Sequence, residues 1–576
     1  MSCVCTQALK RAILLAASLA LPTVATAATV GNPLCPGEEV LFNPGNGEDI
    51  IVPEGFTVSV FASGLNFPTG IAFRGNSQRF EVYVLESGVF PTSRCNDGVA
   101  WQSKGLPGNP FTPDIRVFDQ SARLLRSLGK PADASAGTAN AFSPKAVVDI
   151  AFEHGLAGGR LFATDNASDG GRIVTVAPTT GKVVPLITGL PAGPTGQLAF
   201  QGAWIYWGAG ATTNSGVLSK SDGGPFGQPD IPCQDIILSQ NLFDSGGGIF
   251  TSGYSLFGQT NPGGVVPAFF NAKTGKVRPG ICNGAILRAP LGDLNAIEPF
   301  SWGYRNGYAI RFAPNDHPLA GGLLVGEDGA DETGARPSIN TPESLHLARQ
   351  NPNGTPDYHG WPDRYGFLLA SQAVFNPVGG PADDLCVPDP SNPPSLCTPA
   401  SLNQILTEDI PIRDVLVHAP QPITAPLAIE AANSSFTAID FAPKSFAHGP
   451  VQEGAALYSL EGDFGFSAAN ASAPAPEVGH EVKLLNFAQQ GDKPPALNFQ
   501  RFAYNKTFEQ AFVSGIAGFN RPTNVRFGPD GCAYVADYGA IRDFGQSDPD
   551  TKFQNPADAA LVQIPGTGVI WKICPQ

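Results

Sequence analysis

One arrangement of apolar and polar positions recurs six times along this chain of 576 residues. A short apolar stretch ends in Phe, a turn follows, and a second apolar stretch ends in an acid or Gly. The copies begin Ile71-Ala72-Phe73, Ile150-Ala151-Phe152, Leu198-Ala199-Phe200, Ile310-Arg311-Phe312, Ile439-Asp440-Phe441 and Val525-Arg526-Phe527. Their second stretches close on Glu86, Asp165, Gly208, Glu327, Glu461 and Asp537. Runs this short, rich in β-branched and aromatic residues and bounded by turn residues such as Gly528-Pro529-Asp530-Gly531, predict strands. Further strands follow most copies, among them Ile115–Phe118, Arg172–Val176, Ala285–Arg288, Glu481–Leu485 and Gly568–Lys572. The fold class is therefore all-β. Several short strands per unit, six times over, predict one six-bladed β-propeller over residues 28–576, rather than a row of sandwiches. Two long insertions, about 209–284 and 350–435, are rich in Gly, Pro, Asn and Ser and read as excursions from it. The segment Gly55–Phe61 is expected to join the first or last blade and close the ring.

Composition supports this reading. With 67 Gly and 54 Pro the chain is loop-rich, and its 42% hydrophobic residues can bury a sizeable core. Only 15% of residues are charged, which disfavours long solvated helices. The net charge of −15 leaves no basic surplus to neutralise phosphates, so no nucleic-acid partner is expected. Residues 1–27 have the form of a signal peptide: Lys10 and Arg11, an apolar Ala12–Leu21, then Ala25-Thr26-Ala27. No later apolar run is long enough to span a membrane, so an exported protein, periplasmic or extracellular, is expected. Eight cysteines lie beyond that segment and predict disulfides. Cys386 with Cys397, and Cys532 with Cys574, are the expected pairs. Oligomeric state is left open.

Candidate chemistry follows from the repeat. Glu86, Asp165, Glu327, Glu461 and Asp537 fall at corresponding strand ends. In a radial array they would converge on the channel mouth, either around a cation or as loop acids that hold the blades. The densest stretch runs from Ser301 to Phe367. In it Arg305 offers a planar fork, Asn306 can donate and accept beside it, and Gly329 lets a backbone carbonyl approach a hard cation.

WGYRN (302–306), EDGADE (327–332) and YHGWP (358–362) resemble the PQQ-dependent soluble glucose/sorbosone dehydrogenases, as do residues 52–73 and 521–539. The resemblance implies a six-bladed propeller that oxidises a sugar or polyol by passing hydride to PQQ. It implies that Arg305 and Asn306 contact the quinone, and that the carbonyls of Gly329 and Ala330 hold Ca²⁺. The chain departs from the family in two places. Ala330 stands where the family keeps Pro, and the turn 191–200 has no His where the family keeps its base in a DHxxGxLxF context. His359 is the candidate replacement. The alternatives are a Ca²⁺-dependent lactonase-like hydrolase using Glu86, Asn524 and Asp537, and a non-catalytic carbohydrate- or protein-binding propeller.

Overall fold

The computed structural model describes residues 27–88, 95–131, 140–167, 170–193, 195–220, 222–246, 248–330, 334–336, 341–365, 368–369, 414–420, 423–462, 478–490, 493–543 and 561–576. The proposed signal peptide up to residue 26, the Cys386/Cys397 pair, Asp331 and Glu332 lie outside them, as does most of 350–435.

Each predicted two-strand unit is the inner half of a four-stranded antiparallel blade. Blade one is Pro68–Asn76, Arg79–Glu86, Asp114–Asp119 and Leu124–Leu128. Blade two is Val147–Phe152, Leu161–Ala167, Gly170–Val176 and Val183–Ile187. Blade three has inner strands Thr195–Gln201 and Trp204–Ala209, then Ala285–Pro290 and Glu298–Trp302, with Asp357–Tyr358 added in parallel outside. Blade four is Asn306–Phe312, Leu323–Asp328, Glu343–Ala348 and Ala428–Glu430. Blade five is Phe436–Phe441, Ala456–Leu460, Glu481–Gln490 and Lys493–Asn505, with Ile50–Ile51 at its rim. Blade six is Pro522–Phe527, Ala533–Asp537, Gly568–Pro575 and, from the other end of the chain, Phe56–Leu65. The closing segment thus belongs to the last blade. Each inner strand touches the next, and that of blade six touches that of blade one, so the ring is closed. Among the described residues the α-helices are two short ones, Gly98–Ser103 and Ala511–Ser514, and no helix is long and apolar enough to cross a membrane.

The packing explains why the strands read as nearly continuous apolar runs. Successive side chains on a strand point to opposite faces, and both faces of a blade lie against a neighbour. In Val82-Tyr83-Val84-Leu85, the two valines enter the seam between blades six and one, with Phe61, Tyr534 and Ile570. Tyr83 and Leu85 enter the seam between blades one and two, with Ile150 and Phe152. The other seams repeat this, with Ile310 and Tyr206 between blades three and four and Trp571 and Leu457 between blades five and six. Each large side chain buried this way contributes roughly 1.5–3 kcal/mol.

The first insertion and the described part of the second fold down together rather than lying loose. Val217, Ile231, Phe243, Val415 and Leu416 are buried in one cluster with Trp207 and Leu287 of blade three. The Arg336 guanidinium pins the two at their meeting point, donating to Ser215 O (2.7 Å), Pro362 O (3.1 Å) and Asp363 Oδ1 (2.9 Å). Asp363 in turn accepts from the Val415 and Leu416 amides.

Three disulfides are present among the described residues: Cys35–Cys95, Cys233–Cys282 and the expected Cys532–Cys574. Such bonds persist in oxidising compartments. The last one ties the second strand of blade six to the strand that receives Phe56–Leu65. Replacing both Cys532 and Cys574 by Ala is expected to lower stability by about 2–4 kcal/mol, read as a fall in the denaturation midpoint of the oxidised protein.

Candidate functional site

Antiparallel pairing sets the end of each second strand beside the start of its inner strand. Pro68 faces Glu86, Val147 faces Asp165, Gly307 faces Glu327 and Pro522 faces Asp537. Amides in the loop entering the inner strand have no ladder partner there, and the acid supplies one. Glu86 accepts from the Asn66 amide at 2.7 Å, Asp165 from Ser143 at 3.0 Å and Glu327 from Arg305 at 2.6 Å. Asp537 accepts from the amides of Asn520, Arg521 and Gly539 and from Trp571 Nε1. These four acids are loop clasps, not a cation ring, and no cluster of three His, Cys, Asp or Glu suited to a metal occurs among the described residues. Burial, then the charge of Asp114, pushes Glu86 up to about 8.

Blade five departs from the sequence alignment of the repeats. There Phe436 faces Leu460, and the bulge that follows matches those after Pro68 and Pro522. Leu460 therefore occupies the clasp position, and Glu461 sits one residue beyond. Its counterparts are Ser87, Asn166, Asp328 and Tyr538 rather than the other four acids.

The blade-four motifs lie side by side. Arg305 leads into the inner strand; its amide goes to Glu327 and its carbonyl accepts from the Ala211 amide at 2.8 Å. Asn306 opens that strand opposite Asp328 and donates from Nδ2 to Asp328 Oδ2 at 3.0 Å. Gly329 follows, its amide donating to Glu343 Oε2 at 2.8 Å. The Ala330 carbonyl accepts from Thr341 Oγ1 at 2.6 Å.

His359 is not on a loop over the channel. The YHGWP segment packs against the outer strand of blade three: the His359 amide donates to Trp302 O at 2.8 Å and the Trp361 amide to Gly303 O at 2.8 Å. The His359 ring is fully enclosed and stacks on Tyr304 at 4.7 Å. It belongs to a buried chain that sequence reading missed. Glu327 Oε2 lies 2.7 Å from His346 Nε2, the two Nδ1 atoms are 3.1 Å apart, and His359 Nε2 lies 3.1 Å from Asp357 Oδ2. Burial pushes His359 down from its ordinary value, despite Asp357. A ring with no open surface cannot meet a substrate hydroxyl, so this chain positions Glu327, and through it Arg305. The visible signal was His346, a polar interruption in Glu343-Ser344-Leu345-His346-Leu347-Ala348.

Inner-strand side chains fill the channel below the mouth. Gln197 of blade three reaches the Thr437 carbonyl of blade five at 2.8 Å, and Asn524 of blade six reaches Thr69 O of blade one at 2.7 Å. Asp149 of blade two lies 3.9 Å from Arg526 of blade six, and Arg311 lies 2.8 Å from Asp440. Tyr308, the bulged residue of blade four, has its phenol pushed well up by burial, then by the charges of Glu461, Asp149 and Asp328. Of the ligands that the hydrolase reading names, Asn524 is committed to Thr69, and both Asp537 oxygens are taken by amides and Trp571. The family's base position falls on Gly193, three residues before Gly196. A Cβ there would lie 2.1 Å from Gly210 O and 2.8 Å from Ala211 O. No side chain fits at that point of the turn, so the absent His is built into the backbone packing.

No protein-family model and no curated protein matches the sequence. Many solved structures resemble this one, among them the following three. The holo PQQ domain of pyranose dehydrogenase from Coprinopsis cinerea does so at 13% identity and a TM-score of 0.46, covering 91% of this chain and 97% of that one. The calcium structure of a carbohydrate-active enzyme of family AA12 from Trichoderma reesei does so at 13% and 0.43, covering 92% and 97%. Virginiamycin B lyase from Staphylococcus aureus does so at 9% and 0.28, covering 90% and 99%.

Two outcomes are expected. Gly193→Ala should cost roughly 1–3 kcal/mol in chemical denaturation, because the added methyl meets backbone. Glu86 keeps its proton in the folded state to about 8 but loses it near 4.5 when unfolded, so its contribution to stability is full below 4.5 and is lost as pH rises to about 8. Melting curves at pH 5 and pH 9 should therefore show Glu86→Gln gaining on the wild type as pH rises.

Proposed function

We propose that this protein is an exported propeller oxidoreductase of the glucose/sorbosone dehydrogenase type, acting on a sugar or polyol with a PQQ-type quinone and Ca²⁺ at the blade-four mouth. The observation that carries this reading is the pairing of Asn306 with Asp328, 22 residues away, which sets WGYRN beside the acid/Gly loop at the strand nearest the axis.

The donors suit the group. Asn306 Oδ1 is buried with no hydrogen-bond partner among the described residues, an oxygen left over for a donor or cation. With the Asp328 carboxylate and the Gly329 and Ala330 carbonyls it makes an all-oxygen set, the kind a hard cation takes. The hydroxyl of Thr341 uses one lone pair of the Ala330 carbonyl and leaves the other. When bound, a quinone polarised by Ca²⁺ supplies a two-electron acceptor. Arg305 would bind and orient its oxygens through a fork that Glu327 holds by the Arg305 amide. Asn306 would fix the same edge, and the enclosed His346–His359 chain keeps Glu327 in place.

The test is an absorbance titration of purified protein with PQQ and Ca²⁺, followed by dye reduction with aldoses and polyols. Arg305→Ala should weaken quinone binding roughly tenfold to a hundredfold, as expected for losing charge-assisted hydrogen bonds. Equal binding by wild type and variant counts against the reading.

A further inference from the structure

The channel mouth lacks the base that such an oxidation needs at Gly193, and one carboxylate there is unaccounted for. The one-residue register difference in blade five removes Glu461 from the clasp set. The shift gives the clasp position to Leu460 and puts Glu461 one residue past the end of the strand. Its amide still donates to Ser435 O at 3.0 Å, which fixes the backbone. Its carboxylate makes no hydrogen bond among the described residues, although the residue is only 6% exposed. The four other acids of the repeat are hydrogen-bonded.

Its surroundings place it at the mouth. Tyr308 on the inner strand of blade four feels the charge of Glu461 together with those of Asp149 from blade two and Asp328 from blade four, and Tyr538 of blade six feels Glu461 as well. Tyr308 is the bulged residue of that inner strand, between Gly307 and Ala309, and groups of blades two, four, five and six bear on its phenol. Arg521, which leads into blade six, donates to the carbonyl of Gly462, the residue after Glu461, at 2.9 Å. His480, also beside this turn, is held low by burial and then by Arg521, and so stays neutral.

We propose that Glu461 is the catalytic base at this mouth, taking the substrate's hydroxyl proton. This rests on the quinone reading above. The alcohol O–H bond breaks and its proton goes to a Glu461 oxygen. The carbinol C–H bond breaks with its electron pair, which passes with the hydrogen to the ortho-quinone. The carbon–oxygen double bond forms, the substrate is oxidised and the quinone is reduced. Burial, opposed by Arg521 and reinforced by the charge of Asp537, pushes Glu461 up to about 7, which suits a proton acceptor at neutral pH. Tyr308, Tyr538, Arg521, Asp537 and His480 are the titratable or charged groups that face it.

The experiment compares wild type with Glu461→Gln, each loaded with PQQ and Ca²⁺. Quinone binding is read by absorbance titration and turnover by dye reduction across pH with the best aldose or polyol. Glu461→Gln should bind quinone within about twofold of wild type, while kcat falls roughly 10²- to 10⁴-fold and the ionisation near pH 7 vanishes from the kcat/KM profile. A variant that turns over within about threefold of an active wild type overturns the assignment and leaves the quinone reading standing. A wild type that neither binds quinone nor turns over defeats that reading first, and the base role falls with it. Binding without turnover in the wild type overturns the base role alone. Should Glu461→Gln fail to fold, the wild-type profile decides: no ionisation between about pH 6 and 8 overturns the proposal.

Discussion

Everything in this molecule depends on the pairing of Phe56–Leu65 with Gly568–Pro575. A blade buries both of its faces only if it has neighbours on both sides, and an open fan of six blades leaves two faces uncovered. Phe61, Val82, Val84, Tyr534 and Ile570 would then meet water. Closure turns that pair of faces into a sixth seam like the other five. It also aims the inner strands at a common axis, and so creates the place where residues from different blades can act on one molecule.

Within the ring, precision at the mouth comes from buried charge. A clasping acid takes amides that the strand ladder leaves over, and each such loop is held where it enters its inner strand. The cost of burying the carboxylate is offset by two or more donors, as at Asp537, or by a cation, as at Asp165 with Arg172. Blade four adds a further layer, in which His346 and His359 brace Glu327 from behind. The loops that carry Arg305 and Asn520 are thereby as fixed as the strands themselves, which is what a site built from loop residues requires.

Much of the architecture could be read from residue order. The Phe-terminated stretches, the closing role of Gly55–Phe61 and the Cys532–Cys574 bridge were legible because local periodicity and strand adjacency determine them. That Asn306 lies beside the turn from Asp328 to Gly329 follows from strand pairing that the motif order alone does not show. Three things were not. The register of blade five was hidden because an apolar run ending in Leu460-Glu461 looks like one ending in a clasp; only the bulge opposite Phe436 separates them. His359 looked like a loop residue because nothing local shows that YHGWP packs on Trp302 across 57 positions. The exclusion of any side chain at Gly193 depends on the Gly210 carbonyl, which chain order does not bring near.

The closing pair also has a temporal side. Thr57 and Cys574, which touch across it, are separated by 517 residues. At the usual ribosomal pace of about 5–20 residues per second, the early strand waits roughly half a minute to two minutes for its partner. Until then the faces that the seam between blades six and one buries stay open. The ring can close only when elongation is nearly done.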